Sequence, residues 1–225
     1  MNASNPAADD AFRQAIEAGD ARAVAAALQA DRALANRTIR WYLNQPNESD
    51  PLHFVCDCVG NGLLTNGRDG EIAKLLATHG AAINGTQGRE SPLIAAASLG
   101  AGRVAKVLID AGADLETTSV FGARALHWAA WTGASATVEM LLEHGAETEK
   151  KCSGFGATPL FWAVHGYGPK GPENKIGQVA AARALIKAGA KVATTNKFGE
   201  TAIELAKRCA AQDMHELLAS SPKLA

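Results

Sequence analysis

Along the chain, Ala-rich apolar runs alternate with apolar segments at helical period, and a Gly or other turn residue divides each pair. Val104-Ala-Lys-Val-Leu-Ile109 is one of the second kind. The runs recur in register: Asp50-Pro-Leu-His53, Ser91-Pro-Leu-Ile94, Arg124-Ala-Leu-His127, Thr158-Pro-Leu-Phe161 and Thr201-Ala-Ile-Glu204 share an apolar third residue, at successive spacings of 41, 33, 34 and 43. A second landmark is a Leu-Leu or Leu-Ile pair shortly before Gly-Ala, with its glycines at Gly80, Gly112, Gly145 and Gly189. Each unit therefore predicts helix, turn, helix, loop. The Ser-Pro or Thr-Pro ahead of a first helix supplies an N-cap and a residue whose missing N–H is not needed there. The Gly after a second helix fits a left-handed C-terminal cap.

On these residues the chain resembles the ankyrin-repeat family, whose unit is about 33 residues with a Thr-Pro-Leu-His-x-Ala signature. Phe121-Gly-Ala-Arg-Ala-Leu-His-Trp-Ala-Ala-Trp-Thr-Gly133, continued to Ala146, matches it most fully. Phe12 to Leu28 reads as a more polar first repeat, and Thr201 to Leu218 as a last one with Lys207, Arg208, Gln212 and Asp213 outward. The resemblance implies an all-α solenoid of six helix-turn-helix units joined by short hairpin-like loops. Their expected limits are 9–44, 45–85, 86–118, 119–152, 153–195 and 196–220, in a single domain 9–220 with tails 1–8 and 221–225. Such a stack needs thin helices, and Ala95-Ala-Ala97 and Ala129-Ala130 supply them.

Three spacings exceed the repeat. The first surplus falls in the loop Arg37 to Pro51, which contains Arg40, Trp41 and Tyr42. The others fall between the two helices of a repeat, at Val59 to Asp69 and Tyr167 to Ile176, where Gly, Pro and Asn predict loops. These inserts either raise a wall beside a binding floor or are surface insertions that a solenoid tolerates cheaply.

Composition narrows the function. With 22 Lys plus Arg against 23 Asp plus Glu the net charge is −1, which gives no basic footprint for nucleic acid. The apolar stretch Ser91 to Gly102 is too short to span a membrane, and the first ten residues lack the basic and apolar regions of a secretory signal. Four cysteines suit a reduced chain, and cytoplasmic location is the expectation. His53-x-x-Cys56-x-Cys58 has metal-ligand types, but Cys56 takes a buried Ala place and no second Cys/His pair lies nearby, so no metal is expected. No cofactor is expected either.

The resemblance also implies where binding residues fall. Exposed first-helix positions come five and six residues after each landmark, giving Trp131, His165 and Arg208, with Leu99 and Thr132 alongside. Hairpin tips come five before it, giving Phe121, Phe155 and Phe198, while Glu90 and Glu200 come three before it. An aromatic centre with a charged rim suits a protein interface. The expected function is a noncatalytic adaptor, inhibitor or clamp, monomeric, binding another protein through its concave face, with Trp131 as the first anchor. The tip phenylalanines alternatively pack on neighbouring repeats and bind nothing. A small-molecule site or unusual enzyme is the alternative: a pocket around Trp131 and His165, walled by the inserts with Tyr167 above, and His165 the one catalytic candidate. Trp128 and Trp162 are expected in the seam between repeats, and His53 and His127, as the motif's histidines, to bond neighbouring backbone.

Overall fold

The computed structural model describes residues 6–169 and 171–221. Among these, twelve α-helices form six pairs, and the chain divides into two compact units, Met1–Ala113 and Asp114–Ala225. The first unit holds α1 (Pro6–Glu17), α2 (Ala21–Ala30), α3 (Pro51–Gly60), α4 (Asp69–Thr78), α5 (Pro92–Ser98) and α6 (Gly102–Asp110). The second holds α7 (Ala125–Thr132), α8 (Ser135–Glu143), α9 (Pro159–Tyr167), α10 (Lys175–Lys187), α11 (Ala202–Arg208) and α12 (Gln212–Ser220).

Within the first unit α1, α3 and α5 pack in one row and α2, α4 and α6 in another; within the second, α7, α9 and α11 face α8, α10 and α12 in the same way. The caps follow the sequence. Ser91 and Thr158 accept from backbone N–H groups of α5 and α9, and Thr201 and Glu204 cap α11 reciprocally. The four landmark glycines all take positive φ, between 79 and 94°.

Three boundaries differ from expectation. The amino-terminal tail is shorter, because α1 starts at Pro6, a residue suited to the first helical position; residues 1–5 and 222–225 lie outside the described ones. The first surplus, in the loop Arg37 to Pro51, is one of the expected hairpins, built from β1 (Ile39–Tyr42) and β2 (Pro46–Ser49), paired Ile39 to Ser49, whose inward Trp41 packs on Phe54 with ring centroids 5.6 Å apart. Both inserts are shorter than expected, since α3 runs on through Val59 to Gly60 and α10 begins already at Lys175.

Each insert is tied to the turn of the preceding helix pair. Asn66 Nδ2 donates to the Ala18 carbonyl at 3.1 Å, while Asn174 Nδ2 donates to those of Thr132 and Gly133 at 3.0 and 3.1 Å. Buried Gln178 adds a bond from Nε2 to the Trp131 carbonyl at 2.9 Å. Carbonyls at a helix C-terminus lack partners within the helix, and the amide side chains supply them. The turn residue beneath has to be glycine: Gly133 has φ +70°, and a Cβ there would lie 2.6 Å from the Gln178 backbone nitrogen.

Ala129 and Ala130 are fully buried. Ala130→Leu is expected to lower stability by about 1–3 kcal/mol through overpacking, read from denaturant midpoints. Gly133→Ala and Gly145→Ala both force a Cβ into the left-handed region, but Gly145 has nothing within 4 Å. The Gly133 variant should therefore be the less stable of the two, and equal losses would remove the role assigned to the insert.

Candidate functional site

In the second unit the hairpin tips are stitched to one another. Gly154 N donates to the Phe121 carbonyl at 2.8 Å and Lys197 N to the Phe155 carbonyl at 3.0 Å. Tip residues in register are thereby held side by side, with the rings of Phe121 and Phe155 5.8 Å apart. One helix row down, His127 is fully buried: Nδ1 accepts from the Arg124 N–H, and Nε2 lies 3.2 Å from the Ala157 carbonyl in the next repeat. Those bonds define the neutral Nε2–H tautomer. His127 is structural, as the motif's histidine was expected to be, and burial pulls its pKa down to about 4.

Between the tips and the first helices lies a recess of about 420 Å³. Trp128 meets Trp162 at 5.0 Å and Trp131 at 5.9 Å, both edge to face, the arrangement favoured by ring quadrupoles. Phe121 and Phe155 close the tip side against Trp128 and Trp162, at 6.5 and 6.2 Å. The indole N–H of Trp128 donates to Ser119 Oγ and that of Trp162 to Cys152 Sγ. Trp131 Nε1 has no hydrogen-bond partner among the described residues. Phe121 and Phe155 remain 43% and 44% exposed and Phe198 74%, so the tips keep open apolar surface.

The polar rim is sparse. Arg208 donates two bonds to Glu200, at 2.8 and 3.1 Å. Asn196 fixes the hairpin beneath by accepting from the Phe198 and Glu200 N–H groups. His165 is an exposed residue whose ring is partly desolvated by its neighbours; that desolvation, then the positive charge of Arg208, lowers its pKa from the ordinary value.

Seven of the sequence-derived positions, Phe121, Trp131, Phe155, His165, Phe198, Glu200 and Arg208, therefore line one recess. Thr132 does not join them, because its hydroxyl turns back onto the Trp128 and Ala129 carbonyls of its own helix. Tyr167 is no lid: its ring receives Lys175 Nζ at 5.3 Å, and no described residue of the second insert lines the recess. The expected wall of inserted loops is absent there, since that insert is bound down on the turn after α7. Sequence reasoning assigned Trp128 and Trp162 to the seam and missed their inner faces, together with Phe161 and Asn196. Two indoles at the same register position, two residues after Leu126 and Leu160, were the available signal.

Glu90 and Leu99 belong to the first unit. Leu99 packs onto Gly60, where a Cβ would stand 2.7 Å from its Cδ2. Around Glu90, His53 Nδ1 lies 3.3 Å from the backbone carbonyl and His53 Nε2 lies 3.6 Å from Asp57, which accepts a bond from Ser49. Lost solvation raises the pKa of both Glu90 and Asp57, against the opposing pull of His53. Cys56 and Cys58 are buried, and burial pushes both thiols up. Among the described residues no group of three or more His, Cys, Asp or Glu is placed to hold a metal ion, and no helix is long and apolar enough to cross a membrane.

A profile of ankyrin repeats, three copies long, matches residues 63–152 and again 126–224. The two matches together cover well over half of the chain and include every residue of the recess.

His127 sets an acid limit on the unit. Its folded pKa of about 4 lies below the ordinary 6.5, so the unfolded chain takes up the proton first as pH falls. Its contribution is complete above about pH 6.5 and declines toward pH 4, by about 2 kcal/mol between pH 7 and 5. Denaturation at both pH values should show this loss in the natural chain and a flatter response in His127→Gln.

Proposed function

The chain belongs to the ankyrin-repeat family, and from that premise we propose that it is a noncatalytic recognition module whose partner protein docks on the aromatic recess of the second unit. Repeats of this kind generally serve as protein–protein interaction modules. The observation that carries the reading is the gathering of Trp128, Trp131, Trp162, Phe121 and Phe155 around one partly open space beside exposed tips. Buried aromatic anchors ringed by a few charges dominate the energy of protein interfaces, and Trp131 is the central anchor with a free N–H. We count six repeats and read the protein as a cytoplasmic monomer acting as adaptor, inhibitor or clamp.

Catalysis has little support. The lining residues include no Ser, Thr or Cys nucleophile, and the single carboxylate among them is engaged by Arg208. Noncatalytic small-ligand binding is the second reading, favoured by a volume that falls within the usual range for ligand pockets.

Native mass spectrometry of the protein gently isolated from its own cells separates the two. A stoichiometric protein partner that is lost on Trp131→Ala, with helical content and melting unchanged, is the expected result. The affinity loss should be about thirtyfold or more, as for other interface anchors. A retained small-molecule mass without a protein partner would favour the second reading, and undiminished capture by the folded variant would move the interface off the recess.

A further inference from the structure

Among the residues that line the recess the one carboxylate is paired, and two lysines of the neighbouring tips have no carboxylate partner among the described residues. Glu200, the one carboxylate among the lining residues, is held by both arms of Arg208. Lys197 has no carboxylate partner among the described residues. Its ammonium donates to the Gly154 carbonyl and sits over the rings of Phe155 and Phe198, 5.9 and 5.2 Å from their centroids. Lys151, also without a carboxylate partner among the described residues, donates to the Thr195 carbonyl at 2.8 Å, on the hairpin that carries Phe198. His165, neutral or cationic, supplies no negative charge against these two cations.

Apolar depth and uncompensated cations together select the occupant. Resting on the recognition reading above, we propose that the recess takes one large apolar side chain from an extended partner segment whose flanking residues are Asp or Glu. The side chain enters between Trp131, Trp162 and Phe155, and the carboxylates meet Lys197 and Lys151 along the tips. The unpaired Trp131 N–H is a donor for a carbonyl of the segment. Complementary charge at such a rim sets partner choice and register more than total affinity.

The reverse polarity fits poorly. Aromatic rings also hold ammonium groups, and a lysine-rich or quaternary-ammonium partner would suit a bare aromatic cage. Here Lys197 already covers two of the rings, and the carboxylate that would balance a second cation is paired with Arg208.

The test is a random peptide library displayed on phage and selected on the full chain, in parallel with Lys197→Glu and Trp131→Ala, all three checked for equal melting. The natural chain should enrich an aromatic residue or Leu with acidic neighbours, and Lys197→Glu should shift the neighbours toward neutral or basic. A synthetic copy of the enriched peptide should weaken about tenfold when its acids become Lys, and the difference should shrink as salt shortens the screening length. Lys151→Glu provides a second charge reversal, with the same direction expected. Neutral or basic neighbours on the natural chain, or a preference untouched by both reversals, would overturn the charge assignment. Recognition at the recess would survive that outcome if Trp131→Ala still abolished enrichment. Equal enrichment on Trp131→Ala, or no enrichment at all, would overturn both.

Discussion

First helices of neighbouring repeats approach closely because they meet through residues with almost no side chain. At the contact between α7 and α9, a Cβ added to Gly166 would lie 2.1 Å from the Trp131 carbonyl, and Ala129, Ala130 and Ala163 around it are fully buried. Everything in the second unit's recess depends on that spacing. Only at this separation do Trp128 and Trp162, set at equivalent positions on two helices, come within 5.0 Å of each other. The hairpin bonds at the tips then need no extra reach to bring Phe121 beside Phe155. Small residues in the stack and large ones on its edge are two sides of one arrangement.

The recess is electrostatically modest for a site with this many rings. Its histidine is held toward the neutral form by lost solvation and Arg208, and Arg208 itself is committed to Glu200. Two of the three indole N–H groups are satisfied within the unit. What remains for a partner is apolar area, one indole donor and two lysines. That inventory favours contact over chemistry. The first unit differs, since its polar groups are knotted among Trp41, Ser49, Asp57 and His53 and serve the packing of its own hairpin.

The repeat was legible because its landmarks are local: an N-cap, a Leu, an Ala run and a C-terminal glycine each report on neighbours in sequence. The family resemblance carried this further, since it implied one row for Trp131, His165 and Arg208, which are far apart along the chain and line the same recess. Side-chain direction was not legible in the same way. Thr132 sits in register yet bonds back to its own helix, and Tyr167 follows the row but turns to Lys175. Trp128 and Trp162 occupy seam positions, but an indole is wider than the seam, and its outer edge emerges in the recess. Insert length was readable from spacing, whereas its anchoring by Asn174 depends on carbonyls in another repeat that no local pattern announces.

That anchoring divides the second insert into parts with different freedom to vary. Its foot, Asn174, together with Gln178 in the first turn of α10, holds the backbone at the end of α7, including the peptide carbonyl of Trp131 itself. Its described outer residues do not line the recess, yet Gly171 packs on the Gly166 carbonyl and Gln178 also donates to the Pro172 carbonyl. Changes at exposed side chains such as Pro169 and Glu173 would alter the outline of the molecule and leave the indole in position, while drift at the foot would be felt at the indole first. The insert is therefore a place where the protein can acquire new surface chemistry without reopening the question of what the recess binds.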